Sequence, residues 1–246
     1  MSSLLKNHPF AVEAFFESSL VVAYAFPPEK LRPLVPSFLE LDTFEDRWAF
    51  AAVAMVNTKG LRPKGSPRFL GADFFLVGYR VFVRFTDIDG KRTRGLYILG
   101  SRTDSRRMEF FGNIFTHYKY STIDVECIEE GGTSTIHSEN EGLFLKYEQA
   151  DEEIPLPVGS PFSTWKEARR FAGPLPFTFT YTPGEDRLLI IEGVRTNWTP
   201  KPVRVLDHRF AFIENLGNGN GVLANAFIVE KIPYYWKKGR FVPIPS

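Results

Sequence analysis

A chain of 246 residues, 43% of them apolar, can bury one sizeable core, and 30 Lys+Arg against 29 Asp+Glu leave a net charge of +1. That balance argues against a dedicated nucleic-acid binder and against a polybasic membrane surface. A single cysteine, Cys127, excludes an intrachain disulfide and a thiolate zinc cluster, and His8, His117, His137 and His208 show no metal-ligand spacing. No apolar run approaches the roughly 20 residues of a membrane-spanning helix. The opening MSSLLKNHPFAVEAFFE lacks a signal peptide's uninterrupted apolar stretch, so the expected location is cytoplasmic. Asn197-Trp198-Thr199 is then a glycosylation sequon by accident of composition. Nothing in the sequence asks for a cofactor or a metal.

The 24 Phe, 9 Tyr and 4 Trp favour strands and large cores. In chain order, Ser19–Phe26 reads as a strand stopped by Pro27-Pro28, and Pro28–Val35 as a short helix with Leu31, Leu34 and Val35 on one face. Leu39–Phe44 and Arg47–Asn57 read as strands joined at Glu45-Asp46, and Thr58–Gly71 as a long surface loop. Phe74–Phe85 and Arg94–Gly100 flank the Asp89-Gly90 hairpin turn. Asp104–Tyr118 is the best helix, with Asp104 as cap and Met108, Phe111, Ile114 and Phe115 as its apolar stripe. Gly112 inside it costs about 1 kcal/mol against Ala, which hints at close packing or a break.

Lys119–Glu129 and Thr133–Ser138 form a hairpin around Glu130-Gly131-Gly132, followed by a strand at Gly142–Glu148 and an acidic stretch, Gln149–Pro161. A helix fits Thr164–Phe171 behind the capping box Thr164-Trp165-Lys166-Glu167. Phe177–Tyr181, Leu188–Thr196, Val203–Phe212 and Val222–Tyr235 complete the strands. With no repeat and no shift in composition, residues 1–246 read as a single domain: a mainly β, closed barrel with two or three peripheral helices.

Several motifs have plainer readings than their chemistry suggests. Gly217-Asn218-Gly219-Asn220-Gly221 precedes a strand, not the helix a phosphate loop must open, and so reads as a hairpin loop. Ser163 and Lys166 have S-x-x-K spacing but coincide with the capping box, and no G-x-S-x-G elbow exists. Asp207-His208 are neighbours on a strand and face opposite sides. Arg80, Arg84, Arg102, Arg106, Arg107 and Lys119 make the central third the most basic region. Arg106 and Arg107 suit a solvated helix face. Arg80 and Lys119 sit within aromatic sequence and are candidates for a cavity.

Pro28-Glu29-Lys30-Leu31-Arg32-Pro33-Leu34-Val35-Pro36, followed by Leu39-Glu40-Leu41-Asp42-Thr43-Phe44 and Trp48, resembles the opening of acetoacetate decarboxylase-like proteins, nearest their YqjF-like branch. Met55-Val56-Asn57-Thr58-Lys59-Gly60-Leu61 and Trp198-Thr199 with Pro202, Arg204-Val205-Leu206-Asp207-His208 resemble two further stretches of that family. The resemblance implies a cone-like closed barrel with helices outside and a small-molecule pocket inside. It also implies, for the decarboxylases, an imine-forming lysine whose pKa a second lysine lowers. Here that lysine pair falls near Gly112-Asn113-Ile114, the family's pocket glutamate near Ser66 and its pocket arginine near Phe16-Glu17.

Three functions compete. In the first, the barrel binds a small carboxylate or oxo compound, with Arg80, Arg84, Tyr79, Asn113 and Ser66 as ligand-binding candidates. In the second, it is a lyase acting on a small oxo acid, with Lys119, Glu109 and His117 catalytic and Arg80 or Arg84 lowering the pKa of Lys119. In the third, exposed aromatics at Tyr234-Tyr235-Trp236 form an assembly contact, and the resemblance is compatible with a homo-oligomer. Neither nucleic acid nor membrane is an expected partner.

Overall fold

Long apolar runs with few breakers build long strands, and the computed structural model has fourteen among the residues it describes, 6–149, 154–195, 199–217 and 219–245. They are β1 (Val12–Phe26), β2 (Glu40–Leu41), β3 (Ala49–Pro63), β4 (Ala72–Thr86), β5 (Arg92–Thr103), β6 (Tyr120–Thr122) and β7 (Glu126–Glu130). Then come β8 (Thr133–Ser138), β9 (Leu143–Gln149), β10 (Phe177–Thr180), β11 (Arg187–Arg195), β12 (Lys201–Phe210), β13 (Val222–Trp236) and β14 (Arg240–Pro243). Four helices join them: α1 (Pro28–Leu31), α2 (Arg106–Phe115), α3 (Trp165–Ala172) and α4 (Ala211–Gly217). Trp198 and Asn218, which belong to stretches singled out above, lie outside the described residues.

The strands run β11-β10-β5-β4-β3-β1-β13, and a further β13–β11 pairing closes this path into a ring of seven. The expected mainly β, closed architecture with peripheral helices is therefore present. From β13 the sheet continues through β12, β9, β8 and β7. The pleat gives the ring strands two faces. On one, Val22 and Tyr24 of β1, Val53 of β3 and Val77 and Tyr79 of β4 pack with Leu31 of α1, Ile213 of α4, and Leu145 and Phe210 from β9 and β12. On the other, Ala52 and Phe82 pack with Ala168 and Phe162 of the α3 region.

Local chemistry explains the turns. Glu45 and Asp46 both have positive φ, as a two-residue hairpin turn requires, and Asp87 Oδ1 accepts from Asp89 and Lys91 N–H to brace the turn at Gly90. The Thr164 hydroxyl caps α3 by accepting from Glu167 N–H, while the Glu167 carboxylate accepts from Ser163 N–H.

Three expectations are corrected. Thr58–Gly71 is not a loop throughout: β3 runs on to Pro63, paired with β1, with Thr58 buried. Ser105, not Asp104, caps α2, because the Asp104 carboxylate accepts from Phe75 N–H on β4. The Val203–Phe212 strand stops at Phe210, and α4 begins at Ala211.

Candidate ligand-binding cavity

All seven strands of the ring contribute side chains to a cavity of about 310 Å3. Small residues make the room: Ser19 on β1 and Ala52 and Ala54 on β3 line it where neighbouring positions carry phenylalanine or valine. Gly78 on β4 lets the Arg80 side chain fold back, since a Cβ there would sit 3.1 Å from its Nε. Helix α2 covers one side with Met108, Phe111 and Phe115. Its Gly112 lies flush on β6, where a Cβ would come within 2.4 Å of the Tyr120 ring. His8, Pro9 and Phe10 complete the cover, with Phe10 edge-on to Phe115 at 5.2 Å.

The polar side chains of this cavity are chiefly guanidinium groups, hydroxyls and the His8 imidazole. The Arg80 Nε is buried with no hydrogen-bond partner, and no carboxylate pairs with Arg80 among the described residues. The lining residues include Arg62, Arg80, Arg107 and Arg195 and, among those described, neither a lysine nor a carboxylate. Arg62 is neutralised from outside by Glu13 at 2.6 Å, and Arg195 donates to the Pro174 carbonyl at 3.0 Å. Burial pushes the Tyr118 phenol up to about 12, opposed by its contact with Thr178 Oγ1 at 2.9 Å and by the charge of Arg80. Tyr120 and Tyr234 are raised by burial in the same way, again against Arg80. All three phenols therefore stay protonated near neutral pH, and a guanidinium beside hydroxyl donors in an apolar cavity suits an anion.

Of the residues singled out by sequence, Arg80 lines the cavity. Tyr79, its neighbour on the pleat, faces the opposite core, stacked on Phe212 at 3.9 Å. Arg84 is ion-paired to Asp42. Asn113 clamps β6 instead of facing a ligand, donating to the Tyr120 carbonyl and accepting from Tyr120 N–H, both at 2.8 Å. Glu109 does likewise, accepting from the Thr122 N–H and hydroxyl. His117 Nε2 lies 3.3 Å from the Asn7 amide oxygen, and burial lowers its pKa. Ser66 sits in the loop after β3, its carbonyl accepting from Arg62 Nε. Lys119 is exposed, with left-handed φ of 54°, and does not line the cavity.

Asp207 and His208 do not pair. His208 Nδ1 instead meets the Tyr24 hydroxyl at 2.8 Å. Tyr234 and Trp236, read above as an assembly contact, turn into the cavity and pack on Phe16. With Tyr118, Thr178, Arg195 and His8 they are among the lining residues that sequence reasoning missed, and Arg107, read above as part of a solvated helix face, is exposed but also borders the cavity. The one signal for Tyr118 was its place, with Tyr120, on either side of Lys119. Among the described residues no cluster of His, Cys, Asp or Glu could hold a metal ion, and no helix is long and apolar enough to cross a membrane.

A profile of the family described as "uncharacterized conserved protein (COG2071)", DUF2071, matches residues 14–237. The chain belongs to the DUF2071 family. This places it in the YqjF-like branch that its sequence resembles. A comparison with curated proteins finds no relative. Among solved structures, the DUF2071 chain is similar in fold to an acetoacetate decarboxylase from Legionella pneumophila, with a TM-score of 0.60 and 15% identity over 95% of this chain and 88% of that one. It is similar to an acetoacetate decarboxylase-like enzyme from Sphingomonas wittichii RW1, with a TM-score of 0.58 and 11% identity over 100% and 96% of the two chains. The enduracididine biosynthesis enzyme MppR, complexed with pyruvate, gives 0.58 and 10% over 97% and 92%. The DUF2071 chain thus has the acetoacetate decarboxylase-like fold.

Proposed function

We propose that this chain binds a small carboxylate or oxo compound in the ring-lined cavity, with Arg80 as its anchor, and without the lysine pair of true decarboxylases. The observation that carries the reading is Arg80 itself, a partly buried guanidinium with no carboxylate in reach among the described residues. An unpaired charge out of water is costly, and a ligand carboxylate held bidentately, with Tyr118 as a further donor, offsets that cost. The pyruvate complex of MppR, which shares the fold, supports an oxo acid as the ligand class.

Two observations support the loss of imine chemistry. The lining, among described residues, has no lysine, and at Gly112, near where the resemblance puts the lysine pair, the Tyr120 ring fills the place of a side chain. The runner-up, a lyase using Lys119, needs that exposed side chain to reach a cavity it does not line. The test combines borohydride trapping over a panel of short oxo acids with titration calorimetry on the wild type and Arg80→Ala. The expected result is saturable binding, at least tenfold weaker in Arg80→Ala, with no covalent adduct. A stoichiometric adduct mapped to any lysine overturns the binding reading in favour of the lyase.

A further inference from the structure

We infer that the ligand is a monocarboxylate of about ten non-hydrogen atoms in all, most of them an apolar body, its head on Arg80 and its tail directed to a mouth beside α2. The inference rests on the reading that Arg80 holds a carboxylate, and it narrows the ligand class.

The first observation is size. At about 30 Å3 for each water-sized group, a cavity of about 310 Å3 holds roughly ten such groups. A three-carbon oxo acid would occupy the neighbourhood of Arg80 and leave much apolar volume empty. The second is the wall. Away from the guanidinium and phenol groups, Phe16, Phe74, Leu76, Phe82, Leu96 and Ile98 line the space with wholly apolar side chains, and such a wall favours an apolar occupant.

The third observation is the mouth. Three apolar residues of the lining are also solvent-exposed and therefore mark the opening: Phe10 (37%), Leu70 (48%) and Phe111 (44%). Phe69 and Phe110, adjacent in sequence to two of them, are exposed at 84% and 63%. An entrance for a small hydrated anion has no use for exposed aromatics, whereas one that passes an apolar chain does. Arg107, over the Phe111 ring at 5.9 Å, adds a cation there to attract the head group.

The test is a series of straight-chain acids from acetate to dodecanoate, with phenylpyruvate, pyruvate and octanol beside them, titrated calorimetrically into the wild-type protein. Each methylene buried should tighten binding by about fourfold, so octanoate should bind more than 100-fold tighter than acetate. The gain should stop near eight to ten carbons, where the cavity is full. Octanol should bind at least tenfold more weakly than octanoate, and Arg80→Met should remove that difference. Ala54→Phe, which fills the cavity, should weaken octanoate at least tenfold.

A series that is flat with chain length, or pyruvate binding as tightly as octanoate, overturns this inference and leaves the proposed function standing. Octanol binding as well as octanoate overturns the placement of the head on Arg80, and with it the inference. If no acid of any length binds, both readings fall together.

Discussion

Arg80 and Arg84 share one face of β4, four residues apart, yet the protein treats them in opposite ways. Arg84 meets Asp42 Oδ1 as an ion pair at 2.5 Å, outside hydrogen-bond angles, while Arg94 donates to Oδ2 of the same carboxylate and to the carbonyls of Arg170 and Phe171 at the end of α3. Asp42 is almost fully buried between them, so this is a structural junction tying β2, β4, β5 and α3 together. Arg80 has no such carboxylate among the described residues, and the strands around it offer small residues and phenol hydroxyls instead. The difference teaches that an arginine in an apolar strand is only half a signal. Whether an acid from another element comes to meet it separates a strut from a receptor.

The comparison can be broken or sharpened by measurement. The largest effect is expected from the double variant Arg84→Met, Arg94→Met, which strands the Asp42 carboxylate in the core. Urea unfolding should show a loss of about 3–5 kcal/mol, and a loss below about 1 kcal/mol would deny the junction its structural role.

Next comes His8, a buried lining residue whose pKa burial lowers to about 4, opposed by the backbone at His8 and Phe10. Native His8 is neutral while the unfolded chain takes up a proton near pH 6.5. The stability from burying it neutral is therefore complete above pH 6.5 and is lost as pH falls towards 4, by about 2 kcal/mol at pH 5. His8→Asn, which tolerates the positive φ here, should flatten that part of a stability–pH profile.

Arg80→Met is the sharpest contrast with Arg84. Removing a charge that has no partner among the described residues should leave the melting temperature unchanged or raise stability by about 1 kcal/mol, while weakening carboxylate binding at least tenfold. A marked drop in melting temperature would make Arg80 another strut. The smallest effect belongs to Lys119→Gly, which relieves a left-handed residue at an exposed position. Stability should shift by less than about 1 kcal/mol, and ligand affinity should not move.

How much of this was readable beforehand differs between scaffold and cavity. Turns and caps are local chemistry, so Asp89-Gly90, Glu130-Gly131-Gly132 and the Thr164 capping box announced themselves in the sequence. The continuation of β3 past Gly60 did not. Glycine, proline and basic residues look like a loop until β1 supplies Glu13 and Phe15 as pairing partners. Helix α4 was hidden because Phe210-Ala211-Phe212-Ile213 carries no capping residue and extends an apolar strand pattern.

At the cavity, Arg80 could be suspected because a charge in an aromatic strand is unusual. Glu109 and Asn113 misled for a physical reason: both lie on the best helix, and sequence does not say that their side chains turn to clamp β6 instead of facing the cavity. Tyr118 and Trp236 enter only through pairings between distant elements, which no local pattern encodes.

The unequal stitching of the ring has a consequence for how it opens. Strands β1, β3, β4 and β5 are joined by long antiparallel ladders, and β13 lies along β1 for nearly its whole length. By contrast β10 holds β5 through two residue pairs, Thr178↔Leu96 and Phe179↔Tyr97, and β11 holds β13 through three. The wall is thus a broad sheet and β10–β11 its clasp, and Thr178 and Arg195 of the clasp both border the cavity. Releasing a handful of hydrogen bonds undoes the clasp while the wall stays folded. Amide protons at 177–180 and 193–195 should therefore exchange with solvent well before those of β1, β3 and β4, and a tenant reaching from one to the other should slow them.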